Sequence, residues 1–189
     1  MLDRYRGADR AGAGFLGSVC LVAPGAVDRP VKRSALDHPA NAGLLRHSQS
    51  WPQPPGVPPL ASPDQVVNPY ETLGAHPDLV TRLWDELGGK LPAGCRMVFQ
   101  GMPVLIHPTT GIVFGFARGT HTYALRLPDR ERAEAIAAGA TRIKEYPAGR
   151  LRFDLDDFGP QWVFCGWFRG EEAWCHSAFQ HAGSGAGDA

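Results

Sequence analysis

The sequence predicts an α+β fold: an antiparallel β-sheet meander with helices packed mainly on one face, preceded by a disordered, Pro-rich segment. Three observations predict it. Strand-like segments follow one another with short links, helical periodicity flanks them, and nine of the 17 prolines lie in residues 1–65. The predicted division is a disordered segment over residues 1–67, an α+β domain over residues 68–182 and a flexible tail over residues 183–189.

The N-terminal segment contains a proline cluster at residues 51–59, where fixed φ angles and missing amide donors disfavour helices and central strands. Three interpretations stay open. The segment is a linker or partner ligand, or upstream sequence translated from a GC-rich genome with the natural start near Val66 or Val67, or a weak signal peptide around the apolar residues 14–23. Asp3 and Asp9 disrupt the positive region that a signal peptide needs.

Helical signals appear at three places in the predicted domain. A first helix begins at His76-Pro77-Asp78 and ends at Gly88-Gly89. A second covers residues 130–138 and ends at Gly139, and a third covers about residues 171–181. The first helix carries its apolar residues at helical spacing, namely Leu79, Val80, Leu83, Trp84 and Leu87, and the inner face of the second consists of Ala133, Ile136 and Ala137.

The strands are predicted from short apolar runs separated by turn residues. Four lie in succession, over residues 96–100, 103–107, 112–117 and 121–127. The links at 108–111 and 118–120 contain the Gly or Pro of tight turns, which favours an antiparallel meander. Two further strands are predicted over residues 141–146 and 150–154.

Charge and hydropathy narrow the classes of partner. Residues 66–189 carry twelve Lys and Arg against fourteen Asp and Glu. A domain with a net charge of about −2 lacks the basic surface that a phosphate backbone requires, so the sequence argues against nucleic-acid binding. No run approaches the ~20 apolar residues of a membrane span, and a cytoplasmic protein with no membrane association is expected.

The four cysteines, Cys20, Cys95, Cys165 and Cys175, form no C-x-x-C pair, so we expect free thiols in a reducing compartment, with no cofactor and no metal. Cys175 and His176 are adjacent on a predicted helix and point about 100° apart, which prevents a nucleophile–base contact. An enzyme would need at least two of a wider set within hydrogen-bond reach: Cys165, His107, His121 and His176.

The candidate binding residues are basic and aromatic and lie on or between the predicted strands: Arg96, Arg118, His121, Tyr123 and Arg126. Strand alternation directs His121 and Tyr123 to one face and Arg126 to the other. If Arg96 and Arg126 share the open face of the sheet, they can clamp a carboxylate or phosphate. The alternative is that each arginine is solvated on the wet side of an antiparallel sheet.

An aromatic-rich stretch follows near the C-terminus. The alternation within it predicts that it closes the core, and the alternative is that part of it forms an exposed partner-binding patch. Its members are Trp162, Phe164, Trp167, Phe168, Trp174 and Phe179.

The stretch from about residue 95 to residue 182 resembles the small α+β domains of the TfoX N-terminal and YjbR-like families. The likeness rests on Arg96-Met97 followed by Phe99 and Gly101, the apolar strand around Phe114, Leu125-Arg126, and a helix that ends in Ala-Gly before another strand. It implies a similar fold and, for TfoX-like proteins, a role in competence regulation. A second likeness is to domains filed under a luciferase-domain label, through residues 125–128, 138–140 and 159–163.

The function expected from these observations is that of a non-catalytic cytoplasmic module, which binds a protein partner or a small anionic ligand through an open sheet face. Two alternatives are a TfoX-like regulatory protein acting near nucleic acid and an enzyme of unknown type that uses cysteine or histidine.

Overall fold

The computed structural model describes residues 34–145 and 152–185. Several predictions therefore lie outside the described residues: the disorder and signal-peptide interpretations of residues 1–33, the place of Cys20, the turn around residues 147–149, and the end of the tail at residues 186–189.

The strands, in chain order, are β1 (Leu60–Ala61), β2 (Arg96–Phe99), β3 (Met102–Ile106), β4 (Val113–Arg118), β5 (Thr122–Arg126), β6 (Ile143–Glu145), β7 (Arg152–Asp154) and β8 (Trp162–Cys165). Six of them form an antiparallel sheet at the centre of the fold, in the order β1-β2-β3-β4-β5-β8. The predicted α+β class and the meander of the four central strands are confirmed. A two-stranded ribbon, β6–β7, lies beside the main sheet, with an isolated bridge from Thr141 to Phe164 on the edge strand.

The helices are short in the first part of the chain and longer at its end. They are α1 (Ser34–Asp37), α2 (Ala42–Ser48), α3 (Pro69–Thr72), α4 (Pro77–Thr81), α5 (Asp129–Ala137) and α6 (Glu171–Gly183). Helix α4 continues as a π-helical segment over Arg82–Leu87, so the helix predicted after His76 is confirmed. It begins there because Pro77 supplies the first helical position and the His76 ring accepts the Asp78 amide.

One face of the sheet, which we call the helical face, is covered by α4, its π-helical continuation and α6. One buried cluster joins these helices to the sheet. It contains Leu79 of α4, Leu83 of its continuation and Trp174 of α6, together with Leu105 and Leu125 of the sheet. The longer helices thus lie mainly on one face, as predicted. Removing these apolar side chains from water stabilises the layer by about 1.5–3 kcal/mol for each large residue.

The inner face predicted for α5 is wrong. Ala135 is the buried residue of this helix, whereas Ile136 is 47% exposed and Ala133 and Ala137 are exposed as well. Small residues with so little apolar area carry a weak periodic signal, and packing against β8 decides the orientation instead.

The opposite face, which we call the N-terminal face, is covered by residues 34–51 together with residues 153–158. Ala35 and Leu44 are fully or almost fully buried there, in a second cluster with Phe116, Trp162 and Phe164. The predicted boundary at residue 68 is therefore wrong: residues 34–67 belong to the fold, and β1 pairs with β2. A natural start near Val66 would remove these contacts, which opposes the upstream-translation hypothesis.

The boundary at residue 68 was wrong because the prolines of this segment begin short helical turns instead of preventing them. Pro39 and Pro63 each occupy the first turn of a 3-10 helix, over Pro39–Asn41 and Pro63–Gln65. The residues between the prolines then present apolar side chains to the sheet. Neither face of the main sheet is open over the described residues, so the predicted open face is wrong too.

Gly43 of α2 packs closely against the backbone of Asp157 and Phe158. A Cβ atom at this position would lie 2.6 Å from the Asp157 carbonyl oxygen and 2.8 Å from the Phe158 Cα. We expect Gly43→Ala to lower the free energy of unfolding by about 1–3 kcal/mol, because two backbone segments must separate. Urea denaturation measures this, with Ala42→Gly as the comparison for helix propensity alone; equal unfolding energies for wild type and Gly43→Ala would contradict it.

Candidate functional site

The predicted clamp between Arg96 and Arg126 does not form. In the strand register Arg96 lies opposite Leu105, a residue of the helical-face cluster, and the Arg96 guanidinium pairs with Asp85 at 3.3 Å. Arg126 is on the N-terminal face, 8% exposed, and donates to the side-chain oxygen of Gln161 at 2.7 Å. The two arginines are therefore separated by the sheet, and the predicted clamp is wrong.

Arg118 lies on the N-terminal face but away from Arg126. Its strand partner is Thr122, and Arg126 is four residues further along β5, which corresponds to about 13 Å. The guanidinium stacks on the Trp51 ring, 4.2 Å from the ring centre, and burial lowers the pKa of Arg118. The three arginines of the predicted set do not converge.

The other two predicted residues, His121 and Tyr123, are placed at one end of β5 and lead to a different site. His121 is exposed at the start of the strand, and Tyr123 is fully buried on the helical face. The Tyr123 hydroxyl donates to the carboxylate of Glu171, the first residue of α6. This contact anchors a buried polar network that the sequence did not predict.

The network joins the π-helical continuation of α4, strand β5 and helix α6. The Glu171 side chain is 0% exposed and accepts from Arg82 at 2.8 Å, through an ion pair in which the Arg82 side chain is 12% exposed. It also accepts the Gly166 amide at 3.0 Å. Burial, and then the hydrogen bond to Glu171, raise the pKa of Tyr123 above its ordinary value, so its phenol stays neutral and donates.

Arg82 remains a cation in this network. Burial alone lowers its pKa, but hydrogen bonds to Glu171, Tyr123 and Glu86 outweigh burial and raise it above the ordinary value for arginine. A buried carboxylate that meets a cation, a phenol and a backbone amide is satisfied on both oxygens. The network can therefore hold the loop of residues 166–170 in one conformation.

The loop carries Trp167, whose backbone adopts φ +61° although it is not glycine. The left-handed conformation costs about 1–2 kcal/mol for such a residue and persists where its surroundings impose it. Here the Trp167 amide donates to the Tyr123 hydroxyl at 3.1 Å, and the two rings meet edge to face at 5.3 Å. Trp167 is nevertheless 51% exposed as a residue. The buried network thus presents a tryptophan to solvent in a fixed position.

Trp167 forms one wall of a groove of about 550 Å³, which we call the aromatic groove. Backbone hydrogen bonds hold the segment around His76 against the turn at Gly119: the His76 amide donates to the Gly119 carbonyl at 2.7 Å, and the Gly119 amide donates to the Gly74 carbonyl at 2.7 Å. The Lys144 ammonium donates to the His121 carbonyl at 2.5 Å. The groove is lined by His76, Asp78, Leu79, Thr120, His121 and Trp167.

The cysteine and histidine groups of the enzyme alternative are not assembled. Over the described ranges no hydrogen bond joins any two of the four residues named for it; His107 contacts Thr110 at 3.2 Å, and His176 contacts Gln180 at 3.0 Å. Burial, then Glu171 and Cys175, raise the pKa of Cys165 well above its ordinary value, and burial raises that of Cys175 to about 12. Neutral thiols are poor nucleophiles. In the part of the chain that is described, no three His, Cys, Asp or Glu side chains are grouped to hold a metal.

Sequence reasoning missed Glu171 and Arg82. It expected the aromatic set that includes Trp167 to close the core, with an exposed patch as the alternative; Trp162, Phe164 and Trp174 are buried, whereas Trp167 is exposed. A signal for the loop was present, because Gly166 and Gly170 flank it and glycines often mark irregular backbone. No sequence pattern indicated that the Trp167 ring would face solvent.

This chain matches no protein-family profile, no curated protein and no solved structure. The resemblance to TfoX N-terminal and YjbR-like domains therefore stays a prediction. Within the described residues, no helix combines the length and the apolar character needed to cross a bilayer. Fold and site together define an α+β protein in which a tryptophan, held at its backbone amide, faces solvent in the aromatic groove.

Proposed function

We propose that the protein is a non-catalytic, cytoplasmic ligand-binding module, and that the aromatic groove takes a small molecule with a flat ring and an acidic group. The observation that carries the proposal is the Trp167 indole, exposed to solvent while its backbone is held in a strained conformation by Tyr123. Strain of this kind persists at ligand sites because the surrounding structure compensates for it.

The flat ring proposed for the ligand is inferred from the exposed indole of Trp167. An aromatic face that projects into a groove offers a stacking surface, and stacking a planar group on it stabilises a complex by about 1–3 kcal/mol. Leu79 extends the apolar wall next to it. A flat ring fits this combination better than an extended aliphatic chain because both of its faces and its edge can be used.

The acidic group follows from the polar lining. His76, His121 and Thr120 bring imidazole nitrogens and a hydroxyl, which donate hydrogen bonds to a carboxylate. Asp78 opposes an anion, but its side chain is 84% exposed at the rim, where solvent screens its charge. The sequence-based expectation of a small anionic ligand is thus kept, at a different site.

The test is a titration with three matched probes, monitored by ligand-observed NMR. Benzoate carries both the aromatic ring and the acidic group, benzyl alcohol carries only the ring, and acetate carries only the acidic group. We expect benzoate to bind most tightly. Trp167→Ala should weaken benzoate binding about tenfold or more, because the stacking surface is lost. Ile136→Ala, which removes another exposed apolar side chain on α5, serves as the control and should leave the affinity unchanged.

Equal affinity of the Trp167→Ala and Ile136→Ala variants for benzoate would rule out the proposed site. If benzyl alcohol binds as tightly as benzoate, the ligand needs no acidic group, and only the proposed stacking of a flat ring on Trp167 stands. Binding of acetate alone, without preference for benzoate, would contradict the role of the indole.

A further inference from the structure

The imidazole of His47 lies among three aromatic rings on the N-terminal face, in a cluster that we call the histidine box. Its centre is 4.9 Å from that of Trp51 and 5.0 Å from that of Phe153, both nearly edge to face, and 4.9 Å from that of Phe158. His47 belongs to α2 and Phe153 to β7, while Phe158 ends the 3-10 helix Leu155–Phe158. A titratable ring thus joins residues 34–51 to the chain that precedes β8.

A small cavity next to the histidine box offers the imidazole a second position. Its volume is about 230 Å³, and it is lined by Gly43, Arg46, His47, Ser50 and Asp157. Asp157 is exposed, and over the described ranges its carboxylate forms no hydrogen bond or ion pair. A protonated imidazole that turns into this space gains a carboxylate acceptor, whereas the three rings of the box offer it none.

The surroundings of His47 favour its neutral form. Burial lowers the pKa of His47; the Asp157 carboxylate opposes this lowering, and the Arg118 guanidinium adds to it. Arg118 acts here because it stacks on the Trp51 ring, 4.2 Å from the ring centre. The charged groups on the elements packed against the imidazole are Arg46 of α2, Arg118 of β4, Asp154 of β7 and Asp157 of the 3-10 helix.

We propose that His47 is a pH-sensitive switch that holds residues 34–51 on the sheet. When neutral, its ring fills the histidine box and ties α2 to β7 and to Phe158. When protonated, it leaves the box for the cavity and pairs with Asp157, because a charged imidazole loses its hydration among aromatic rings. Residues 34–51 then loosen from the N-terminal face. This switch is independent of the aromatic groove and of the function proposed for it.

The stability that His47 contributes decreases toward acidic pH. It is fully present above the pKa of an unfolded histidine, about 6.5, and is lost as the pH falls from there through the lower pKa of the folded protein. The reason is that the unfolded chain binds the proton more readily than the histidine box does. We therefore expect residues 34–51 to open at mildly acidic pH while the rest of the domain stays folded.

The experiment follows the imidazole titration of His47 by NMR, in the folded full chain and in the same chain unfolded in urea. Hydrogen exchange at the Val113 amide, which donates to the Asn41 side chain, reports the opening of residues 34–51. We expect a lower titration midpoint for His47 in the folded chain. The protection factor of Val113, corrected for the intrinsic pH dependence of exchange, should fall about three- to tenfold between about pH 7.5 and about pH 5.5.

Three variants separate the switch from other effects of pH. His47→Phe keeps an aromatic ring in the box but cannot titrate, so its Val113 protection should be the same at both pH values. His176→Gln removes an exposed histidine of α6, and as the control it should behave like the wild type. Asp157→Asn removes the carboxylate that opposes the lowering, so the midpoint of His47 should move lower still.

Three results would overturn the proposal. The first is a His47 midpoint in the folded chain at or above that in the unfolded chain, and this measurement needs no variant. The second is an equal loss of Val113 protection in His47→Phe and in the wild type. The third is an unchanged midpoint in Asp157→Asn, which would rule out Asp157 as the partner of the protonated ring.

Discussion

Replacing Glu171 with alanine is expected to lower the free energy of unfolding by about 3–5 kcal/mol, because it leaves the Arg82 guanidinium in the interior without its buried carboxylate. The same change removes the acceptor of the Gly166 amide and of the Tyr123 hydroxyl. Arg82 keeps its contact with the more exposed Glu86, which places the expected value toward the lower end of this range.

Chemical denaturation measures the effect, and Glu172→Ala is the matched control. Glu172 is the next residue of α6, but its pair with Lys90 is exposed on both sides, so its removal should not measurably change the stability. The double variant Arg82→Met, Glu171→Leu should recover most of the loss, since no uncompensated charge remains. Similar unfolding energies for Glu171→Ala and Glu172→Ala would contradict the network.

The Glu171→Ala variant also connects stability with binding. Because the carboxylate holds both Tyr123 and the loop at Gly166, its loss should release Trp167 from its fixed position. Benzoate affinity should then fall in the folded variant at a temperature well below its unfolding transition. A variant that loses stability but keeps full benzoate affinity would separate the network from the groove.

Asn41→Ala is expected to lower the free energy of unfolding by about 3 kcal/mol or more, because it leaves buried backbone groups without partners. Asn41 is 1% exposed. Its amide nitrogen donates to the carbonyls of Ala35 at 2.8 Å and Gly111 at 2.9 Å, and its side-chain oxygen accepts the Val113 amide at 2.9 Å. One side chain thus connects the N-terminal segment to the start of β4.

Gln49→Ala, at the exposed end of α2, is the control and should stay within about 0.5 kcal/mol of the wild type. Hydrogen exchange adds a local readout, since the Val113 amide should lose protection in Asn41→Ala before the rest of β4 does. If residues 34–67 were a flexible extension, Asn41→Ala and Gln49→Ala would have the same stability.

Much of the fold could be predicted because its signals are local. The helix after His76 has a proline start, helical spacing of large apolar residues and a glycine end, and the central strands are joined by turn residues. The N-terminal segment was misjudged because its helices are short and are separated by prolines. Its burial comes from contacts with β4 and the residues before β8, which are distant in sequence.

The candidate site was predicted less well. Strand alternation correctly placed Tyr123 and Arg126 on opposite faces of β5. Alternation within one strand says nothing about the register between strands, so it could not show that Arg96 lies on the helical face. The expected open face also failed, because the segment that covers it had been assigned to disorder.

The sequence by itself determined the secondary structure from residue 76 onward in outline, because periodicity, turn residues and caps act over a few neighbouring positions. Only the tertiary structure decided which charged groups are buried and which aromatic ring is exposed. Glu171, Arg82 and Tyr123 come from three separate elements, and a buried carboxylate is tolerated only where all three meet. The position of Trp167 depends on this network, because its backbone amide donates to the Tyr123 hydroxyl, and that hydroxyl is itself held by the Glu171 carboxylate.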